Sequence, residues 1–343
     1  MSFFAVEKRK ISKVWPHPNA DRLDLAQVEG LTFQFVCQRG TQVEGGEVIF
    51  FPIDSVLPQP LIDFFGIGSM LSGKDHNRIR TVKLRGEYGQ GFVSAIDRIK
   101  EYLKVDELPE DLTTALGVTK FEPPEVMVQN AKLIPIDMSV YDIEGCDRYQ
   151  NVVDYLMDKD VVITEKVEGM NMHLTLKADG STKCGQRKFY IISNDPEQPH
   201  SFEVASNKVL LPLSKQIQVH NGKDVRIRAE FLGESSQGNY YGFKGHRPMV
   251  FEIDIDNHPV DAIDLLAMVK AFNIDFVPVL FTGKLRDFLG GRTVQEACTG
   301  QSQLVNKLRE GIVIRPFHEE YLQGFGRVII KQRSAPYLDK TGF

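Results

Sequence analysis

Apolar positions in the first hundred residues come in short runs closed by turn residues. Phe33-Gln34-Phe35-Val36 and Val48-Ile49-Phe50-Phe51 lie between Arg39-Gly40, Gly45-Gly46, Pro52 and Pro58. Such spacing predicts short strands and a small barrel. Glu101-Tyr102-Leu103-Lys104 reads as a short helix, and Asp106, Glu107, Glu110 and Asp111 form an acidic patch before Pro123-Pro124. Two consecutive prolines block regular structure. These changes predict a β-barrel domain over 1–105, a linker over 106–125 and a second domain over 126–343. In the second domain Val161-Val162-Ile163 predicts a buried strand running into Glu165-Lys166. Residues 172–176 alternate apolar with polar and then meet Asp179-Gly180, a hairpin signal. Residues 225–232, 249–255, 312–314 and 328–330 read as strands, and 265–272 and 285–289 as helices.

With 42% hydrophobic and 25% charged positions in 343 residues, the chain has the make-up of one large or two ordinary folded domains. Wholesale disorder and fibrous repeats are excluded. No apolar run approaches the length of a membrane-spanning helix, so no membrane partner is expected. The opening MSFFAVEKRK turns charged too early for a secretory signal. Cys37, Cys146, Cys184 and Cys298 are far apart and form no CxxC pair. Free thiols and a cytoplasmic location are expected. A formal charge of −5 argues against histone-like nucleic-acid binding, but placement of charge matters more than its sum. Lys74, Arg78, Arg80, Lys83 and Arg85 are opposed within their stretch only by Asp75. The histidines form no HxH or HxxxH pair, so a histidine-bound transition metal is not suggested.

The sharpest chemical feature is Glu165-Lys166-Val167-Glu168-Gly169-Met170-Asn171. If the strand continues, Val167 points away and Lys166 and Glu168 share one side. Gly169 permits a tight turn or close backbone approach. Alone, the pattern also fits a surface lysine among solvated glutamates. Further elements follow in order: Arg187, Glu230 before Phe231-Leu232-Gly233, the apolar strand around Phe251, Glu310-Gly311, and the pair Lys331/Arg333 on one strand face.

This ordered series resembles the covalent nucleotidyltransferases, the polynucleotide ligases and messenger-RNA capping enzymes. Lys166–Gly169 resembles their nucleophile motif, Arg187 the basic residue that follows it, and Glu230, 64 residues after Lys166, their third motif. Phe251 resembles the aromatic residue that stacks on the base, and Glu310 and Lys331/Arg333 resemble the last two motifs. Arg333 stands where the family usually has a second lysine, and arginine favours bidentate contact. His17-Pro18-Asn19-Ala20-Asp21-Arg22-Leu23 and residues 83–91 resemble an OB fold of the tRNA-binding-domain type. Ten residues follow Arg333, too few for the C-terminal OB barrel of DNA ligases and capping enzymes. An OB module placed first resembles one branch of ATP-dependent RNA ligases. The fold class expected is α+β: an N-terminal OB-type β-barrel followed by a nucleotidyltransferase domain of antiparallel sheets flanked by helices.

The resemblance implies ATP and a divalent cation, Mg2+ or Mn2+, as cofactors. Lys166 would take AMP from ATP, pass it to an RNA 5′-phosphate, and an RNA 3′-hydroxyl would then expel AMP. An amine attacks only as the neutral base, and carboxylates by themselves favour its charged form, so the metal is part of the nucleophile argument. Lys166, Glu230, Glu310, Lys331 and Arg333 are the expected catalytic residues. Thr164, Glu165, Asn171, Arg187, Phe251 and Arg148 join them as nucleotide contacts. Glu168, Glu230 and Glu310 are the expected metal ligands, through water. Lys74, Arg78, Arg80, Lys83 and Arg85 would follow an RNA backbone, with Tyr88 and Phe92 for stacking; a solvated charged face is the alternative. The expected partner is nicked or broken RNA, acted on by a monomer, in RNA repair. The rival readings are a DNA or mixed polynucleotide ligase, a non-catalytic OB-type RNA- or tRNA-binding protein, and a capping-type GTP transferase.

Overall fold

The computed structural model describes residues 4–73, 75–122, 130–138, 140–234, 236 and 238–341. The chain forms two compact units, one of 1–125 with 145–151 and 334–343, the other of 126–144 with 152–333.

In the first unit five antiparallel strands run in the order Phe35–Gln38, Leu23–Val28, Glu7–Pro16, Glu47–Phe51, Phe92–Ala95. Glu7–Pro16 is long enough to pair with two partners, and its register slips between Ile11 and Lys13. An irregularity of that kind bends a strand and lets a sheet curl. The continuous apolar run at 48–51 is explained by burial on both faces. Val48 and Phe50 enter one core with Ile11, Val28 and Phe35. Ile49 and Phe51 enter another with Leu57, Leu61, Ile99 and Leu112.

That second core corrects the expected linker. Leu112, Leu116 and Val118 are buried in it. Asp111 caps the short helix Leu112–Ala115, and Thr119–Lys120 pairs with Ser55–Val56. The acidic patch is thus the outer side of folded structure. Residues 123–129, with Pro123-Pro124, lie outside the described residues.

The two segments behind the OB resemblance touch each other. Val82–Leu84 and Glu87–Gly89 form a hairpin whose turn residues Arg85 and Gly86 have φ of 49° and 100°, the left-handed geometry that tight hairpins need. A ring nitrogen of buried His17 lies 3.0 Å from the Leu84 carbonyl, and the Asn19 amide donates to the Arg85 carbonyl at 2.9 Å.

The basic stretch divides. Arg78 is buried, paired with Asp54 at 2.6 Å and stacked 3.6 Å from the Phe121 ring centre. Its expected RNA contact is therefore replaced by a structural role. Arg80 is half-buried. Phe92 packs against Phe51 and Phe65, so its expected stacking face is spent on the core. Lys83 and Arg85 are exposed, with Lys83 5.0 Å from the centre of the Tyr88 ring. Lys74 lies outside the described residues.

Two larger antiparallel sheets build the second unit, beside the small hairpin of Tyr321–Leu322 and Gly326–Arg327. The larger runs Ala131–Pro135, Phe189–Ser193, Thr182–Gln186, Met170–Leu176, Val225–Gly233, His246–Ile255, His258–Pro259. Alternation along its central strands sorts the faces. Met172, Leu174, Ile227, Ala229 and Phe231 pack with Phe202, Leu210, Ile217 and Leu265 from the helical segments. Asn171, Thr175, Arg226, Arg228 and Glu230 occupy intervening positions, with Asn171 opposite Glu230. The smaller sheet contains Ile330–Arg333, Gly311–Pro316, Asp160–Lys166 and Val279–Lys284 in that order. Lys166 ends a strand of the smaller sheet, and Met170 begins one of the larger, so Val167-Glu168-Gly169 carries the chain between them.

Candidate active site

Strand register aligns the cations. Lys166 lies opposite Gly311 and Gly311 opposite Arg333; Thr164 lies opposite Val313 and Val313 opposite Lys331. Paired residues point to the same side of a sheet, so Thr164, Lys166, Lys331 and Arg333 share one face. Gly311 lies in the middle of that row, where the paired strand leaves no room for a side chain. A Cβ there would overlap the Gln332 carbonyl oxygen and lie 2.9 Å from Arg333 Cα.

Glu310 Oε1 sits 2.6 Å from Lys166 Nζ. Gly169 lets Glu230 approach from the larger sheet: a Cβ at Gly169 would lie 2.8 Å from Glu230 Cγ and 2.6 Å from Leu232 Cδ2. Burial pushes the Glu230 carboxyl up to about 8, Lys166 opposes that rise, and Glu310 and Glu168 add to it. Three acids therefore act electrostatically on one amine's surroundings. Among the described residues, no three His, Cys, Asp or Glu side chains form a ready-made metal-binding group.

Glu165 is on the other face from Lys166. Its backbone N–H donates to the Pro278 carbonyl, and its carboxylate accepts from the Gln303 N–H at 2.9 Å. Burial raises its pKa, against hydrogen bonds from Ser302 and Gln303. The second carboxylate oxygen of Glu165 and Asn171 Oδ1 are both buried without a hydrogen-bond partner among the described residues. Unpartnered buried acceptors are uncommon and call for an explanation.

Arg187 stands in the two-residue turn between Thr182–Gln186 and Phe189–Ser193. Its guanidinium reaches Asp142 at 2.9 Å, and Lys331 approaches the same carboxylate at 3.6 Å. Burial pushes Lys331 down to about 8; Asp142 opposes this, while Lys166, Arg333 and Arg187 add to it. Register jumps from Arg228–Glu252 to Ala229–Val250, leaving Phe251 as the extra residue of a bulge, a device that re-aims a side chain. The Phe251 ring lies 5.3 Å from that of Tyr141, and its carbonyl accepts from Arg315 at 2.9 Å. Arg148 belongs to the short turn Cys146–Arg148, in the other compact unit.

Several supporting residues carry no signal in the motif series. Buried Glu252 is surrounded by Arg228, Arg315 and Arg327 at 3.2, 3.4 and 2.7 Å. An acid inside the apolar run Met249-Val250-Phe251-Glu252-Ile253 was the one hint. The Tyr241 hydroxyl accepts from the Glu168 N–H at 3.0 Å, and the Tyr240 hydroxyl donates to the Leu308 carbonyl at 2.7 Å. Two adjacent tyrosines thus tie the Lys166–Gly169 segment to the approach of Glu310.

Residues 159–333 match the family model described as RNA ligase, and residues 5–96 match an OB-fold domain model. No curated protein sequence matches the chain. Among solved structures, the chain is similar to Naegleria gruberi RNA ligase with pyrophosphate, at 23% identity and a TM-score of 0.78, covering 98% of each chain. It is also similar to two mutants of that ligase, one with ATP and Mn and one with AMP and Mn, each at 22% identity, a TM-score of 0.78 and 98% coverage of each chain. The architecture is thus the expected one: an N-terminal OB-fold followed by antiparallel sheets with helices.

Proposed function

Because this chain belongs to the RNA ligase family, we propose that it joins RNA 3′-hydroxyl and 5′-phosphate ends at the expense of ATP, through Lys166. The carrying observation is the alignment of Lys166 with Lys331 and Arg333 on one sheet face, with Glu310 2.6 Å from the amine.

Lys166 Nζ gives up a proton and attacks the α-phosphorus of ATP. A P–N bond forms, the P–O bond to pyrophosphate breaks, and Lys331 and Arg333 hold the charge that gathers on the phosphate oxygens. An oxygen of the RNA 5′-phosphate then attacks the same phosphorus, breaks the P–N bond and releases Lys166. In the last step the RNA 3′-hydroxyl attacks the activated 5′-phosphorus and AMP leaves. Glu310, beside the amine, would take its proton and return it.

The donor set suits the nucleotide. The unpartnered acceptor of Asn171 matches a ribose hydroxyl, and backbone groups of Thr164 and Glu165 would read the adenine edge. Phe251, held out by its bulge, offers a ring to the purine, with Thr164 beside it on the nucleophile's strand. Arg187 faces the phosphates. The excess of acid around Glu230 also fits a hydrated cation. Bound through water to Glu168, Glu230 and Glu310, magnesium or manganese would neutralise phosphate charge and favour the uncharged amine. The similar Naegleria ligase structures contain ATP or AMP with Mn.

In the OB module, exposed Lys83 and Arg85, with half-buried Tyr88 beside Lys83, are the groups suited to RNA. The reading extends to a monomer repairing nicked or broken RNA in the cytoplasm, in keeping with four free cysteines. No helix among the described residues is long and apolar enough to cross a membrane.

The test is incubation with α-labelled ATP and magnesium. Label should join the protein, should be acid-labile, and should be absent in Lys166→Ala; persistence in that variant defeats the assignment. Sealing of nicks with RNA or DNA on the hydroxyl side then separates an RNA ligase from a mixed polynucleotide ligase.

A further inference from the structure

We propose that Asp142 is a positioning residue of this site, one carboxylate that holds Arg187 and Lys331 together where phosphate oxygens are to bind. This inference rests on the ligase reading above. The geometry is that of a two-handed anchor: one Asp142 oxygen is 2.9 Å from Arg187 and the other 3.6 Å from Lys331. Neither cation shares a strand with the other, and no regular ladder sets their distance.

Asp142 is itself held. Its Oδ1, the oxygen facing Lys331, accepts from the Ile143 N–H at 3.0 Å. The preceding Tyr141 donates to Glu252 at 3.3 Å, lies against Phe251 and sits 5.0 Å beneath the Arg228 guanidinium. The carboxylate therefore hangs from backbone clamped into the buried ion network.

The electrostatics supply a second reason. Lys331 faces Lys166 from the strand beyond Gly311–Pro316, Arg333 from its own strand, Arg187 from the hairpin turn and Asp142 from the irregular segment. Burial and three cations push its ammonium down, and Asp142 opposes them. Without that acid, burial and the three cations would act on Lys331 unopposed and favour its neutral form.

The experiment compares wild type, Asp142→Asn and Asp142→Glu. Acetylation of Lys331, followed by mass spectrometry across pH, reads its protonation without any need for activity. The midpoint should fall by about one pH unit in Asp142→Asn, the scale of losing one opposite charge within contact distance, and stay near wild type in Asp142→Glu. The alkaline limb of ATP self-labelling should move with it. An unchanged Lys331 midpoint in Asp142→Asn overturns the proposal, as does an equal fall in Asp142→Glu, which would mark packing rather than charge. If wild type takes no label from ATP, the ligase reading fails, whatever the acetylation shows.

Discussion

Lys166 Nζ and Glu310 Oε1 are 2.6 Å apart although 144 positions separate them in the chain. The pairing of Lys166 with Gly311 brings them together, because Glu310 is the residue before that strand begins. The ion pair orients the amine, and in the proposed reaction Glu310 would accept its proton.

Replacing either partner should therefore separate chemistry from stability. The pair is partly exposed, so Lys166→Ala should cost at most about 1 kcal/mol in a urea melt. ATP self-labelling should vanish in that variant. Glu310→Gln should keep the fold and slow self-labelling by roughly 100-fold or more. A Glu310→Gln protein that labels at the wild-type rate would remove Glu310 from the reaction.

The two glycines beside the acids should respond unequally to alanine. At Gly169 the added carbon would meet Leu232 Cδ2 at 2.6 Å and the Phe231 carbonyl at 2.8 Å, which side-chain and small backbone shifts can relieve for about 1–3 kcal/mol. At Gly311 it would overlap the Gln332 carbonyl oxygen of the paired strand, and that strand carries Lys331. Gly311→Ala should be the more damaging in both melting temperature and self-labelling.

Glu252 is the hub of a buried ion network, 1% exposed and in contact with three arginines. Glu252→Ala leaves those guanidinium groups uncompensated and should destabilise by roughly 3–5 kcal/mol. Denaturant unfolding measures this. A loss below 1 kcal/mol would show that the arginines find other partners or water.

His173 predicts the sign of one pH effect. Burial, helped by Arg228 and Arg226, pushes its imidazole down to about 3, so the folded protein keeps it neutral where the unfolded chain binds a proton. Stability linked to His173 is present above about pH 6.5 and lost as pH falls toward 3, at up to about 1.4 kcal/mol per pH unit. His173→Gln should flatten the fall in urea midpoint between pH 6.5 and 4. An unchanged slope would place the acid sensitivity elsewhere.

The basic stretch of the OB module should split in the same way as its burial. Arg78→Ala removes the Asp54 pair and the stacking on Phe121, and should lower the melting temperature. Arg85→Ala and Lys83→Ala should leave it unchanged while weakening RNA binding and shallowing its salt dependence by about one phosphate contact each. RNA affinity lost only with Arg78→Ala would reverse this assignment.

The sequence by itself determined the elements whose causes are local. Alternation marked the polar face carrying Glu230, an apolar run marked the strand ending at Lys166, and glycine after an acid marked both places where strands approach too closely for a side chain. Order and spacing of Lys166, Arg187, Glu230, Glu310 and Lys331 pointed to the covalent nucleotidyltransferases, and the OB-like residues ahead of them pointed to the RNA ligase branch. Tertiary structure alone decided how Asp142 meets Arg187 and Lys331, how three arginines converge on Glu252, and that Tyr240 and Tyr241 tie two distant segments together. It also turned Arg78 inward and sent Leu112, Leu116 and Val118 into a core. Each of these depends on partners tens to hundreds of positions away, brought into contact by sheet pairing and burial. A periodic pattern records which face a residue occupies, but it carries no record of what the fold will set opposite that face.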